Sequence, residues 1–512
     1  MTVRIYKSFI PLFLFAVTFT VAGYFSRIGV DAHHDGIMFK PAFDVARGSM
    51  LFRDTFTQYG ALTTLLQAGA LMLFGKYLLT IQVFTAFFYG LIASLLYSIY
   101  QRILPKSLSV ITVFLWIFMS PYFLVPFLPW ASVYALFFQL LGTYLLIRYE
   151  EHVNNSYLFG AGAATAATFL TRQPGGVFML CAVYVYFLCT FITKNISFRQ
   201  LIRVLYLYTC GVVLIMSCFL IWIATNGAFG DFWLQSVRLA YITGTGRTNY
   251  TILGIIATLF PGGHPISLWE LFPTATIFLS IVFVIALKQK QNIKQAKTVL
   301  ITAAIGLSAW TQYYPLNDDR HVFWGSTQMF GLLTLAFFTV CGYIFRISFR
   351  KHHRKLIVGC TCVILAYFFG PLIVLRFTTG IERIRQPYVR VYKPDILRGM
   401  LVTADEAYYY SFVYNTIETY FQNNPGGNVI NLSAESLYGT FDPRIKNIHP
   451  VNIVWFWLYD SYPDHFINQI PSYIRQNKPL VTTNVLDYIP DGYCPLVTPP
   501  NAYSIVLSLP CK

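Results

Sequence analysis

The chain has 512 residues, of which 56% are hydrophobic and 18% aromatic, while only 11% are charged, and its mean hydropathy is +0.55. Apolar runs of that density spread over most of the length exclude a soluble globular enzyme and define a polytopic membrane protein. The formal charge of +16 sits largely in short loops between apolar runs, so it expresses membrane topology and excludes a nucleic-acid partner.

The first apolar run, Phe9 to Phe25, follows Arg4 and Lys7 and has no small-residue cleavage site after it, which reads as an uncleaved first span. Ten further runs follow: Tyr77–Tyr100, Leu108–Leu124, Trp130–Ile147, Tyr157–Leu170, Gly176–Ile192, Val204–Ala224, Leu268–Leu287, Thr298–Tyr313, Val322–Phe345 and Leu356–Leu375. Most of them suffice as helices for a hydrocarbon core of about 30 Å, giving about eleven spans.

The run Ala61 to Gly75 is too short for a span and is bounded by glycines, so it reads as a juxtamembrane helix. Loop charge supports this. With it non-spanning, Arg4, Lys7, Arg102, Lys106, Arg148, Lys194, Arg199, Arg203, the lysines from Lys288 to Lys297 and the cluster from Arg346 to Lys355 all fall on one side. The weak link is Tyr157–Leu170, whose small residues (FGAGAATAATFL) suit close helix packing better than lipid exposure.

The resulting topology places the chemically unusual segments on the opposite, outer face. They are Asp31–Tyr59, the turn TRQPGG (Thr171–Gly176), the loop Asn226–Pro265 and the turn around NDDRH (Asn317–His321). The expected fold is mainly α: a membrane helical bundle over residues 1–375, with juxtamembrane helices in a first outer loop at 26–76, and a small extracytoplasmic α/β domain over 376–512. In that tail Glu406–Asn423 and Asp464–Gln476 read as helices, and Asn428–Ser433, Pro479–Thr483 and Ala502–Leu509 as strands. Seven cysteines lie in apolar runs as small hydrophobes, whereas Cys494 and Cys511 lie in the tail and could pair if it is extracytoplasmic.

Asp35, in HHDG just past the first span, is placed to take a proton from an incoming hydroxyl, with His33 and His34 positioning an acceptor or joining it around a divalent cation. The plainer reading is a group of solvated interfacial side chains. LFRDTFTQYG adds Arg53, Asp54, Gln58 and Tyr59; Arg53 is either a local partner of Asp54 or a phosphate ligand. Arg172, followed by Gln173, stands where an anionic headgroup meets the membrane, although snorkelling at a helix end is the common alternative. Asp318, Asp319, Arg320 and His321 crowd one turn, where the acids and His321 suit a metal or a sugar and Arg320 a phosphate, with a spacing that fits no strict metal motif. No Walker loop, GxGxxG, zinc spacing or GxSxG elbow occurs, which leaves an ATP-driven transporter or a serine esterase without support.

With HHDG (His33–Gly36), FRDTFTQYG (Phe52–Gly60), TRQPGG and YPLNDDRHVFW in view, the chain resembles the GT-C superfamily of integral-membrane glycosyltransferases. The likeness is to the bacterial branch akin to dolichyl-phosphate-mannose protein mannosyltransferases and the lipid A aminoarabinose transferase. That resemblance implies a polyprenyl-phosphate-linked sugar donor, a glycan, lipid or protein acceptor, Asp35 as base, and Arg172, with Arg320 or Arg53, as phosphate ligands. It also implies a site on the outer face of a membrane, bacterial inner membrane in preference to endoplasmic reticulum. Many relatives carry an acidic pair in the first loop, whereas Gly36 follows Asp35 here, so Asp31 or Asp54 would have to supply a second carboxylate. Two rivals stay open: a flippase or transporter of a lipid-linked saccharide, which would need polar residues at the membrane midplane, and an oligosaccharide ligase or polymerase.

Overall fold

A computed structural model describes residues 2–238, 268–311, 319–344, 351–433, 435–445, 447, 469–483, 491–496 and 506–511. The loop expected from Asn226 onward lies mostly outside these residues, as do Asp318 and the first part of the helix expected from Asp464. Each long apolar run forms a helix: α1 (Thr2–Phe25), α4 (Leu78–Tyr100), α5 (Lys106–Phe118), α6 (Ala131–His152), α7 (Asn155–Thr171), α8 (Gln173–Ile192), α9 (Phe198–Thr225), α10 (Leu271–Lys288), α11 (Ile293–Thr311), α12 (Asp319–Ser326) continued by α13 (Phe330–Ile344), and α14 (Lys351–Arg385). Between α1 and α4 lie α2 (His34–Val45) and α3 (Ala61–Phe74). Seven helical segments among the described residues are long and apolar enough to cross a membrane. Large apolar side chains such as Leu188, Tyr206, Ile221, Ile281, Tyr343 and Val363 stay exposed on the bundle surface, as lipid-facing groups do.

Contacts at the two ends of the bundle fix the helix directions. α6 leaves one end at Ser132, whose Oγ accepts a 2.7 Å hydrogen bond from Arg172, and reaches the other at Glu151, which pairs with Arg102 at 2.7 Å and Arg148 at 3.3 Å. Lys297 joins that far end through Glu150 at 2.6 Å. Because Asn154 caps α7 beside Glu151 and Arg172 closes it back at Ser132, α7 runs the whole way, about 25 Å at the α-helical rise. Its small residues permit this. A Cβ on Gly162 would overlap the Tyr208 carbonyl of α9, and one on Gly211 the Phe159 carbonyl of α7, so the two backbones touch.

The helix α3 begins and ends at the same end as the site. Gly60 at its start donates to the Thr171 carbonyl at 3.2 Å, Gln67 donates to Pro129 O at 2.8 Å, and α4 starts a few residues on with Gln82 bonded to Asp35. α3 therefore does not cross the bundle, in agreement with its short apolar run.

The tail forms α15 (Ala404–Asn423), α16 (Gln469–Asn477), a short antiparallel pair β1 (Val389–Arg390) and β2 (Leu401–Val402), and a four-stranded sheet in the order β3 (Val429–Asn431), β4 (Leu480–Thr483), β6 (Val506–Pro510), β5 (Tyr493–Pro495). β3 and β4 run parallel, with α16 in the crossover, and the other pairs are antiparallel. Thr403 and Glu406 start α15 as a capping box. Cys494 and Cys511 are disulfide-bonded, stapling β5 to the end of β6. Leu401 ties the tail to α1 by accepting from Gly29 N–H at 2.8 Å and donating to Arg27 O at 2.7 Å.

Forcing a side chain between α7 and α9 should cost about 1–3 kcal/mol. Gly162→Val is expected to lower the melting temperature of the purified protein in detergent, measured against the exposed control Gly230→Ala.

Candidate active site

The segment Asp31–Tyr59 folds around α2, and every residue of that helix from Asp35 to Asp44 is buried. The backbone N–H of His33 and of His34 donates to Asp31 Oδ1 at 3.2 and 2.9 Å, so Asp31 supplies the acceptor that opens the helix. Its Oδ2 meets His34 Nδ1 at 2.7 Å. One turn on, Asp35 is completely buried, accepting from the Asp31 backbone N–H at 2.9 Å and from Gln82 Nε2 of α4 at 3.1 Å.

These two carboxyls are pushed apart. Burial, and secondarily the charge of Asp31, holds the Asp35 carboxyl well above the usual carboxylate range. Asp31 is also raised by burial, but the hydrogen bonds and charge of His34 outweigh that and leave it lower than usual. Their environments thus drive the proton affinities of two carboxyls one turn apart in opposite directions.

Trp130, at the entry to α6, packs its ring 5.1 Å from His34 and 5.1 Å from Tyr59. Its indole Nε1 is buried with no hydrogen-bond partner among the described residues. The Tyr59 hydroxyl is pushed up by burial and pulled back by the positive charges of Arg172 and Arg320, which places both guanidiniums within electrostatic reach of that ring. The backbone brings Arg172 there: a Cβ on Gly60 would overlap Leu170 O and crowd Thr171, so the QYG and TRQPGG segments meet only because residue 60 is glycine. Arg172 is extended between α7 and α8, with Gln173 and Pro174 opening the next helix. The Gln58 Oε1 is buried and has no hydrogen-bond partner among the described residues.

Asp319 opens α12 and accepts from Arg376 Nη2 at 3.0 Å. Arg376 is only 2% exposed, and its Nε and Nη1 have no partners among the described residues. His321 is buried and packs on Trp324. Arg53, in contrast, turns to Asp54 in an exposed pair and to Asn226 O at 3.1 Å. The candidate set therefore divides: Asp35, His33, His34, Tyr59, Arg172 and Arg320 gather, whereas Arg53 pairs with Asp54 and Asn226. Gln82, Trp130 and Arg376 escaped the sequence reading because each lies within or at the edge of an apolar run.

Among the described residues no group of three His, Cys, Asp or Glu side chains is disposed to hold a metal ion.

The C-terminal domain closes over α2. A short 3₁₀ segment, Ser436–Thr440, packs on it, and a Cβ on Gly36 would overlap Leu437 N and stand 2.6 Å from Ser436 Oγ. Beneath lies a buried ion pair: Lys40 Nζ to Asp44 at 2.6 Å, with Asp44 also accepting from Thr55 at 2.9 Å and from Asn447 at 2.8 Å.

Residues 60–222, less than half of the chain, match the family model described as dolichyl-phosphate-mannose-protein mannosyltransferase. Two crystal structures of the Archaeoglobus fulgidus oligosaccharyltransferase are similar. One, a complex with Zn and sulfate, has a TM-score of 0.46 at 12% identity over 91% of this chain and 67% of that one. The other, in the apo form, has a TM-score of 0.45 at 11% identity over 91% and 69%. No curated protein matches. The family match falls in with the resemblance of the motifs to the GT-C superfamily, and the fold that carries them is a multi-pass membrane helical bundle.

Removing one partner of a buried ion pair leaves the other charge stranded, at a cost of about 3–5 kcal/mol. Lys40→Met should therefore destabilise the folded protein strongly, and Lys40→Met with Asp44→Leu should recover much of the loss, as read by thermal melting in detergent.

Proposed function

We propose that the protein transfers a sugar from a polyprenyl-phosphate-linked donor to an acceptor hydroxyl on the outer, periplasmic or lumenal, face of its membrane. The observation that carries this reading is the convergence of a buried, protonatable carboxyl, Asp35, with the Tyr59–Arg172–Arg320 group at one end of the bundle. The arginine-rich basic end, at Arg102, Arg148 and Lys297, lies opposite, which by the positive-inside tendency supports an outer location for the site end.

In this mechanism the acceptor oxygen attacks the anomeric carbon, and the bond between that carbon and the donor phosphate oxygen breaks. The acceptor proton passes to Asp35, and the electron pair leaves with the lipid phosphate. Arg172 and Arg320 stabilise the charge that develops on that phosphate, and such stabilisation is ordinarily the larger contribution. The Trp130 indole N–H, between His34 and Tyr59 and without a hydrogen-bond partner among the described residues, is a further donor for the sugar or the phosphate. One carboxylate base with no enzyme nucleophile gives inversion at the anomeric centre. A raised pKa suits the base, because a carboxylate that holds protons more tightly takes one more readily. The acceptor class, glycan, lipid or protein, is selected by the C-terminal domain that covers α2. Of the rivals, a ligase or polymerase would use the same chemistry. A transporter finds less support, because the gathered polar groups lie at one end of the bundle.

Asp35→Asn should abolish transfer of labelled sugar from a polyprenyl-phosphate donor; wild-type transfer by that variant would sink the assignment. Deprotonated Asp35 is the active form, so activity should climb with pH through the raised pKa, with its acid limb above the ordinary carboxylate range. Stability should move oppositely. A folded-state pKa above the unfolded value contributes stability that is complete below the unfolded pKa and is lost as pH rises through the folded one. That component should vanish from the melting profile of Asp35→Asn.

Topology has its own check. A reporter fused after Leu375 is expected to score as extracytoplasmic, and a cytoplasmic signal would remove the basis for an outer-face site.

A further inference from the structure

Gln82 is an amide inside an apolar helix, only 1% exposed, and it lies one turn into α4. Its Nε2 donates to Asp35 Oδ1 at 3.1 Å, while its own Oε1 is buried with no hydrogen-bond partner among the described residues. The second Asp35 oxygen accepts from the Asp31 backbone, which no side-chain substitution removes. An unpaired buried amide oxygen costs free energy that a packing role would not require. On the other side of α2, Ser436 Oγ is likewise buried without a hydrogen-bond partner among the described residues, close to Gly36.

We infer that Gln82 is a positioning residue for the proposed base: it fixes the Asp35 carboxyl through one oxygen and presents its free carbonyl oxygen to the acceptor hydroxyl. This rests on the reading of Asp35 as base. An amide suits both tasks. It donates to the carboxylate without a charge of its own, and its remaining acceptor can orient an O–H toward that carboxylate. Asp31 lies in the turn before Asp35, His33, His34 and Lys40 lie on or at the start of α2, and the C-terminal segment packed on α2 carries Glu435 and Tyr438, while α4 contributes the neutral Gln82. Lys40 is committed to Asp44, and His34 to Asp31. The Gln82 amide is thus the side-chain donor that stabilises the ionised form of Asp35 directly.

The test is steady-state transfer by Gln82→Met and Gln82→Glu in the full-length protein in detergent, with a short-chain polyprenyl-phosphate sugar as donor, across the pH range. Gln82→Met, which keeps length and burial, should lower kcat about tenfold or more and leave the donor KM within about twofold. Its acid limb should move up by about one pH unit, the size of a lost hydrogen bond to a charged group. Gln82→Glu should move it further up, since a second carboxyl beside Asp35 disfavours ionisation. An unshifted acid limb in Gln82→Met, or a change in donor KM alone, would overturn the inference. So would a kcat loss matched by a collapse of the melting temperature with the limb unmoved in Gln82→Glu. The two readings separate cleanly: transfer surviving in Asp35→Asn defeats the base assignment, whereas an inactive Asp35→Asn with an unshifted Gln82→Met defeats this inference alone.

Discussion

The contact on which this structure turns is the one between Gly60 and the end of α7. The Gly60 N–H reaches the Thr171 carbonyl, and no side chain fits between residue 60 and Leu170. Through that touch the first loop and the α7–α8 turn, far apart in sequence, become one surface, and Tyr59 comes within reach of Arg172. A second glycine does the same from above, since Gly36 lets the C-terminal segment settle on α2. In both places the backbone approach is closer than any other residue would allow.

Around these junctions the polar groups are sorted by burial. Lys40 and Asp44 are enclosed and satisfied by each other, Thr55 and Asn447, so they hold the tail to the loop. Asp31 is partly exposed and its carboxyl is held low by His34, whereas Asp35, four residues on, is enclosed and its carboxyl is pushed up by burial. The difference arises from position on one helical turn, without any change in residue type.

Much of the architecture was legible in the sequence because lipid demands long apolar helices and because basic residues mark one end of each. All eleven runs became helices, α3 stayed on one side, and β3, β4 and β6 of the tail formed within the expected strand segments or at their ends, whereas β1, β2 and β5 carry no such run. The α2 helix was harder to see. It is buried on every side between bundle and tail, so it shows no amphipathic period, and its charges suggested a solvated loop. Residues that the structure gathers at one end of the bundle were legible where they stood in polar motifs, as with Asp35, Tyr59, Arg172 and Arg320. Gln82, Trp130 and Arg376 were not, because one polar atom in an apolar run looks the same whether it faces lipid or a carboxyl. Arg53 illustrates the converse: its motif was conspicuous, yet the chain pairs it with its neighbour and with Asn226.

The closure of the tail over α2 bears on water as much as on substrate. A glycosyl phosphate in a membrane enzyme faces a solvent that is itself a nucleophile, present in vast excess over any acceptor. On the proposed reading, a base with no exposed surface, roofed by Ser436–Thr440, cannot activate a stray water. Displacing that roof would then be the acceptor's own task, so that the donor is spent only when something worth glycosylating has arrived.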